Sequence, residues 1–438
     1  MLVEFSVENF LSFRDEQRFS MVAADDRGHA DDTIATDALG KHRLLRSAAI
    51  YGPNAAGKTN LVKALLFVRD LITESPQRSP NQETGAQPFR LDDKTRSEAS
   101  HFALTFVYEG VRYDYTLAVT AAAIEQETLV AYPKGRPQRW FERRLSNDDK
   151  VVLKIGVGLK GAATLKQLIR PKVAFLSVAQ RFNHPQLSKV YDWFANKLVI
   201  MLSEQLSMIA LTGGLAGMLV SSAPALHPAL TTLLRQADLG IDHFTIRERG
   251  QALIDPLSIT ANALTETVWQ SMSDEMKQFL SQHKDREVTF FHQGDSGSPG
   301  FSFLDESRGT RQLFALGPIL LSSLQNGQTI IVDEIDTSLH PQIIRALVDL
   351  FNRQNPYHAQ LIFNTHDASL LQKDLLERDQ VWFVEKDNKG STHLYCLLDF
   401  QSQENGESVE ESYLYGRFGA VPLIDRLTWQ EIKGDAAS

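Results

Sequence analysis

Twelve residues carry the clearest chemistry in this chain: Ala48-Ala49-Ile50-Tyr51 followed by Gly52-Pro53-Asn54-Ala55-Ala56-Gly57-Lys58-Thr59. The spacing is G-x-x-x-x-G-K-T, with a short apolar strand before it. After it, Leu61, Val62, Ala64, Leu65, Leu66 and Val68 lay a broad apolar face along a helix. Such a loop turns successive backbone N–H groups inward and, with the helix N-terminus, makes a nest for phosphate. Lys58 is placed to reach the β- and γ-phosphates, and the Thr59 hydroxyl to ligate Mg²⁺. A Gly-containing turn that binds nothing would not need the strand, the helix, the Lys and the Thr together. The pattern implies a nucleoside triphosphate held by Gly52, Pro53, Asn54, Ala55, Ala56, Gly57, Lys58, Thr59 and Asn60.

Two later strand ends supply the groups that such a site needs. Gln328-Thr329-Ile330-Ile331-Val332 ends in Asp333 and Glu334, and Gln360-Leu361-Ile362-Phe363-Asn364-Thr365 ends in His366. Carboxylates after four apolar strand residues emerge at the sheet edge where α/β folds put their ligands. Asp333 suits Mg²⁺ there, and Glu334 suits the general base that polarises a water in line with the γ-phosphate. His366 is placed to contact the γ-phosphate and orient that water. Alone, the acidic pair would read as a helix cap and the histidine as structural; the glycine loop upstream gives them a shared task.

The elements that must position these residues are spread over most of the chain. Val3, Phe5 and Val7 alternate with polar neighbours, and Asn9-Phe10-Leu11-Ser12-Phe13 turns that strand back. The two antiparallel strands would roof the nucleotide base. A hairpin is expected from His101 to Val119 around Glu109-Gly110, and a second from Thr128 to Leu145 through Pro133-Lys134-Gly135. Residues 160–285 read as mainly helical. They include a helix through Leu187, Val190, Phe194, Leu198 and Met201, one ending at Gly240, and a third over Thr265 to His283. Gly317-Pro318 is expected to kink or divide a helix that starts after Glu306. Strand, helix and strand from Gln328 to His366 imply a parallel sheet with crossovers. The fold class is therefore α/β, a mixed sheet core with an antiparallel β subdomain and a helical insertion. Its lobes are 1–155, carrying the glycine loop, 156–285, the insertion, and 286–438, carrying the acidic and histidine strand ends.

Composition bounds the function. With 43% hydrophobic and 23% charged residues, the sequence is ordinary for a soluble globular protein, and its formal net charge of −9 argues against a globally basic nucleic-acid binder. Cys396 is the sole cysteine, which excludes an intrachain disulfide and a Cys-based zinc site. The first residues show no basic segment followed by an apolar one, so a cytoplasmic location is expected. The uncharged stretch from Gln205 to Leu226, with Gly213-x-x-x-Gly217, has the length of a membrane span, but its Ser, Thr and Pro residues favour burial inside the protein. Lys134, Arg136, Arg139, Trp140, Phe141, Arg143 and Arg144 mix cations and aromatics as a nucleic-acid groove would. A solvated face with Trp140 packed inward is the preferred reading, and little direct nucleic-acid binding is expected.

The motifs in this order resemble the ATP-binding-cassette ATPases of the SMC and RecF type. The resemblance matches Gly52–Thr59 to the Walker A loop, Asp333-Glu334 to Walker B, Thr337-Ser338-Leu339-His340 to the D-loop and His366 to the histidine switch. Ser307-Arg308-Gly309-Thr310 stands where the signature motif stands, as S-R-G-T in place of S-G-G-Q. The resemblance implies ATP and Mg²⁺ as cofactors, and a dimer in which Ser307, Gly309 and Thr310 meet the partner's nucleotide. It also implies a Q-loop in Phe175–Gln180, with Gln180 as a metal ligand. Asn9–Phe13, the residues around Ser307 and Asp333, and the tail Tyr413-Leu414-x-Gly416-Arg417-x-Gly419-Ala420-x-Pro422 look like stand-alone ATPases of the bacterial abortive-infection group (AbiL- and RloA-like). That resemblance implies ATP hydrolysis catalysed through Lys58, Glu334 and His366, and a sensor or scaffold role that controls a partner effector in phage defence. A RecF/SMC-like DNA-repair or DNA-binding ATPase is the alternative.

Overall fold

A computed structural model describes residues 1–25, 32–79, 81–146, 148, 150–237, 239–252, 284–295, 297–401 and 408–422. The chain opens with β1 (Leu2–Glu8) and β2 (Gln17–Ser20), a small hairpin of β3 (Thr33–Ala35) and β4 (Arg43–Leu45), then β5 (Ser47–Tyr51) and α1 (Lys58–Glu74). Next come β6 (Ser100–Tyr108), β7 (Val111–Val119), β8 (Ile124–Tyr132), β9 (Gln138–Leu145) and β10 (Val151–Ile155). The middle of the chain holds α2 (Phe175–Arg181), α3 (Leu187–Asp192), β11 (Leu198–Met201), α4 (Ser203–Thr212), α5 (Gly214–Ser222), α6 (Leu226–Gln236) and β12 (Ile241–Ala252). Then follow β13 (Lys284–His292), β14 (Gly300–Ser302), α7 (Arg308–Gln325), β15 (Thr329–Val332), α8 (Pro341–Arg353), β16 (Gln360–Asn364), β17 (Val381–Lys386), β18 (Thr392–Cys396) and α9 (Val409–Leu414).

Two sheets dominate. The first runs β10-β9-β8-β7-β6-β1-β2 with every neighbour antiparallel; the second runs β11-β15-β16-β5-β17-β18 and is parallel except for its β17–β18 edge. Strands β5, β15 and β16 are buried along their whole length, as parallel strands covered on both faces must be. Their alternation sorts two cores. Ile50, Ile331 and Ile362 point to the side where α1 packs under the antiparallel sheet. Ala49, Tyr51, Ile330, Val332, Leu361 and Phe363 point to the side of α7 and α8. The layers are thus antiparallel sheet, α1, parallel sheet, and α7 with α8. The C-terminal α9 closes the second core, where Tyr413 packs edge-on to Tyr51 and stacks on Phe383.

Buried polar groups tie the layers. Gln360 accepts the Leu2 N–H and the Thr329 hydroxyl and donates to the Leu2 and Leu45 carbonyls, stitching β1 to the parallel sheet. Glu127 on β8 receives the Phe175 and Leu176 N–H groups and the Tyr115 hydroxyl, and so fixes the start of α2. Arg143 lies beside it, fully buried, donating to the Ile124, Arg170 and Pro171 carbonyls. Burial pushes the Glu127 carboxyl up and the Arg143 guanidinium down, each opposed by the other's charge.

Several sequence expectations meet the structure here. Both hairpins form; the Glu109-Gly110 turn has two positive φ angles, as a tight hairpin turn requires. The basic hairpin is not a groove: Trp140 is buried, Arg139 and Arg144 both pair with Glu142, and Arg143 is internal. Residues 160–285 are less helical than their spacing predicts. Leu198–Met201 is a strand paired in parallel with β15, and β12 and β13 form a long antiparallel ribbon. The helix expected over 265–283 lies outside the described residues. Gly317-Pro318 does not divide α7, which runs unbroken from Arg308 to Gln325; a side chain at Gly317 would strike Leu230 of α6. Gln205–Leu226 folds largely into α4 and α5, bent by 84° from one another, and among the described residues no single helix is long and apolar enough to cross a membrane. Gly213 packs against the Phe303 ring and Gly217 against β12 and β13, so this glycine pair serves contacts within the chain.

Truncating Glu127 would strand a buried guanidinium. Glu127→Ala is therefore expected to lower stability by about 3–5 kcal/mol, whereas the double change Glu127→Leu with Arg143→Met recovers most of that loss. Urea unfolding followed by tryptophan fluorescence checks both, and equal destabilisation by the two variants would contradict this cross-strand charge coupling.

Candidate active site

The parallel register brings four strand ends to one edge. Strand β5 ends at the glycine loop, its neighbour β16 at Asn364-Thr365-His366, the next strand β15 at Asp333-Glu334, and β11 beyond it at Met201. The loop itself is possible because of two glycines. A Cβ on Gly52 would lie 2.3 Å from the Val384 carbonyl oxygen. One on Gly57, whose φ is +119°, would lie 2.4 Å from the Thr392 hydroxyl. Lys58 opens α1, is 6% exposed, and donates to the Gly52 and Pro53 carbonyls at 2.7 and 3.1 Å. Burial pulls its pKa down to about 8, against the opposing pull of Glu334, Asp336 and Asp333.

The Thr59 hydroxyl lies 3.0 Å from Asp333 Oδ1, across 274 residues of sequence. Asp333 is fully buried, its N–H held by the Met201 carbonyl at 2.9 Å. Asn364 is equally buried: its amide donates to Asp333 Oδ1 and accepts the Glu334 N–H. Glu334 adopts φ +52°, uncommon for a residue with a side chain, and its carboxyl is held above the usual range by burial and by Asp333 and Asp336. The His366 N–H donates to Asp336 at 2.9 Å, and burial, then the Lys58 charge, lowers the imidazole pKa and so favours the neutral ring. A threonine hydroxyl and one carboxylate, both hard oxygen donors, fit Mg²⁺, which takes few protein ligands and completes its octahedron with phosphate and water.

The remaining expected residues fall in three places. Asn60 donates to the Ser12 hydroxyl, which donates in turn to the Thr392 hydroxyl, and that hydroxyl donates to the Ala56 carbonyl. The Asn9–Phe13 turn therefore braces the glycine loop from outside. Ser307 caps α7, accepting the Thr310 N–H at 3.1 Å and lying 2.8 Å from the Thr310 hydroxyl. A Cβ on Gly309 would lie 2.9 Å from the Ser338 carbonyl, so this turn and residues 337–340 are in direct contact. Among the described residues no hydrogen bond or ion pair joins Ser307, Gly309 or Thr310 to Lys58.

Gln180 is a correction. Its helix meets the far end of α1, where Ser177 bonds the Ile72 carbonyl, while Thr59 is at the other end, about 20 Å away at 1.5 Å per residue. Gln180 thus cannot share an ion with Thr59 and Asp333. Two residues were overlooked. Gln205 follows β11 at the correct sheet edge, accepting the Leu202 N–H at 3.2 Å; the signal was the Leu198-Val199-Ile200-Met201 run, which reads as a strand as well as a helix face. Asn364, a polar residue closing an apolar strand, was the other.

Fold and site together define a P-loop nucleotide-binding protein with an ABC-type mixed sheet. The chain belongs to the family described as "AAA domain, putative AbiEii toxin, Type IV TA system", whose model matches residues 47–154 and 226–372. No curated protein matches it by sequence. Among solved structures, an SMC head bound to the C-terminal winged-helix domain of ScpA is 13% identical, with a TM-score of 0.46 over 94% of this chain and 99% of that one. The SMC head domain from Thermotoga maritima is likewise 13% identical, with a TM-score of 0.42 over 90% and 98%.

Phosphate binding favours the protonated Lys58 amine, so affinity is full below about pH 8 and falls as pH rises through that value. Titration calorimetry with a non-hydrolysable ATP analogue is expected to show binding roughly tenfold weaker at about pH 9.5 than at about pH 7. A flat profile would contradict this role for Lys58.

Proposed function

We propose that this protein binds ATP with Mg²⁺ and hydrolyses it in sites shared between two copies of the chain. The observation that carries the reading is the hydrogen bond between Thr59 and Asp333, which joins the phosphate nest to the acidic strand end. Lys58 holds the β- and γ-phosphates, and a ring N–H of His366 donates one hydrogen bond to the γ-phosphate. The Glu334 carboxylate takes a proton from the attacking water, whose oxygen bonds to the γ-phosphorus as the bond to the ADP oxygen breaks. Mg²⁺, when bound by Thr59 and Asp333, offsets the charge on the phosphates. Gln205, rather than Gln180, is the amide that stands at this edge.

Ser307, Gly309 and Thr310 lie at a helix N-terminus whose free N–H groups favour an anion. One chain carries one such turn and one nest, so two chains are needed to complete a site. Membership of a family described by a putative toxin of a type IV toxin–antitoxin system adds that context. That context supports a sensor or scaffold that holds a partner effector in anti-phage defence, as the abortive-infection resemblance implies. The internal pairing of the basic hairpin removes one argument for the RecF/SMC-like DNA-binding alternative, which otherwise stands.

Glu334→Gln is expected to bind ATP normally and turn it over at least about a hundredfold more slowly. Phosphate release at the parent rate would exclude Glu334 as the base. The shared site has its own test. Ser307→Arg puts a bulky cation where the partner's phosphate must lie, so it should abolish hydrolysis while nucleotide binding by the Lys58 loop persists. Mixing it with Lys58→Ala protein should leave at most one working site per dimer. Normal turnover by monomeric Ser307→Arg would rule the shared site out.

A further inference from the structure

At one end of the antiparallel sheet lies a surface that the nucleotide site does not use. From Lys150 to Tyr191 the chain carries eight Lys and Arg residues and no Asp or Glu, within a molecule whose net charge is −9. Solvated protein surfaces normally mix both signs. Lys150 pairs with Asp148 and Lys189 with Glu109. Among the described residues, Lys154, Lys160, Lys166, Arg170 and Arg181 form no ion pair, and all five are exposed.

Lys154 lies on the edge strand β10, opposite Glu142 of β9, and the 3-10 helix Ala162–Leu168 that carries Lys166 packs against the same strand. The Lys160 N–H donates to Gln186 at 3.1 Å and its carbonyl meets His184 at 2.8 Å, which sets Lys160 beside the turn of Arg181 and the exposed Phe182. Arg170 donates to the Pro76 carbonyl at 3.3 Å, and it lines, with Arg78 and Lys172, a cavity of about 210 Å³. Ser79 and Gln82 add neutral donors to that cavity, and Glu83 is its single acid. Cations with hydroxyl and amide donors are the groups that hold backbone phosphates, and an exposed aromatic offers a face to an unpaired base.

We propose that this end of the sheet binds the phosphodiester backbone of a nucleic acid without reading its sequence. The low binding expected from the net charge does not follow once the charge is seen to be segregated, and the residues involved are not those of the β8–β9 hairpin. Charge complementarity selects the ligand: a ribose- or deoxyribose-phosphate chain presents an anion at every residue, matched to cations spread along the surface, whereas an acidic peptide would bury its own side chains as well.

The test is fluorescence anisotropy with the full-length protein and labelled single-stranded DNA, single-stranded RNA and duplex DNA of mixed sequence. Affinity for at least one probe should fall steeply between about 50 and 300 mM salt, with a log–log slope of about −3 to −4. The fourfold variant Lys154→Gln, Lys160→Gln, Lys166→Gln, Arg181→Gln should bind at least about tenfold more weakly at low salt and lose most of that slope, with ATP turnover and thermal unfolding unchanged. Lys134→Gln with Arg136→Gln, on the hairpin turn, should leave the slope within about one of the parent's. Three results would overturn the proposal: no salt-dependent binding by the parent, equal binding by the fourfold variant, or displacement of the probe by poly-glutamate as readily as by unlabelled nucleic acid. The last would instead mark the surface as a seat for an acidic protein.

Discussion

One side-chain amide organises the catalytic edge. Asn364 ends β16, between the strand that carries the glycine loop and the strand that carries the carboxylates. Its nitrogen can only donate and its oxygen only accept, so bonding Asp333 with one and the Glu334 N–H with the other fixes the amide in a single orientation. Asp333 is thereby turned toward Thr59. Glu334 is held at φ +52°, a backbone state that costs about 1–2 kcal/mol for a residue with a Cβ and persists only where neighbours enforce it. The Ile335 N–H, bonded to the Asn364 carbonyl at 3.2 Å, closes the clamp. A carboxylate at this edge must be aimed as well as present, and here the aim comes from an uncharged residue.

The electrostatics follow from that placement. Lys58 is desolvated enough to lie near its titration point, yet Asp333, Glu334 and Asp336 surround it and favour its charge. The same three acids push against one another, and Glu334, with burial added, has its carboxyl shifted upward. A phosphate group entering the nest relieves the first imbalance by supplying Lys58 with an anion at contact range. It worsens the second unless a cation accompanies it. The charge balance of this edge therefore suits an anion that brings a cation with it better than a bare anion.

The chemistry was legible in the sequence because it sits where rules of spacing are strict. A glycine loop between strand and helix, and carboxylates after a run of four apolar residues, each have few alternative readings. The antiparallel hairpins were legible for the same reason: Phe102, Leu104 and Phe106 alternate as a half-buried strand must. What failed was the arbitration of short apolar runs. Leu198–Met201 continues the 3.6-residue spacing of α3, and only its partner β15, far along the chain, makes it a strand. Gln180 was placed by its position in the chain, which says nothing about which end of α1 its helix meets. Arg143 reads as a surface cation in any local window; that Glu127 waits for it inside is a fact of the register between β8 and β9.

The bracing of the glycine loop has a consequence for how the protein comes into being. Ser12 and Thr392, 380 residues apart, hydrogen-bond to each other and jointly hold Asn60 and the Ala56 carbonyl, while Tyr413 packs on the strand that enters the loop. Loop closure over such a span is entropically expensive and comes late in folding. A nascent chain still short of its last strands has the whole glycine motif but lacks the walls that shape it. The shape of the glycine loop thus depends on β18 and α9, so that a copy clipped before Thr392 would keep the glycine motif without the walls that brace it.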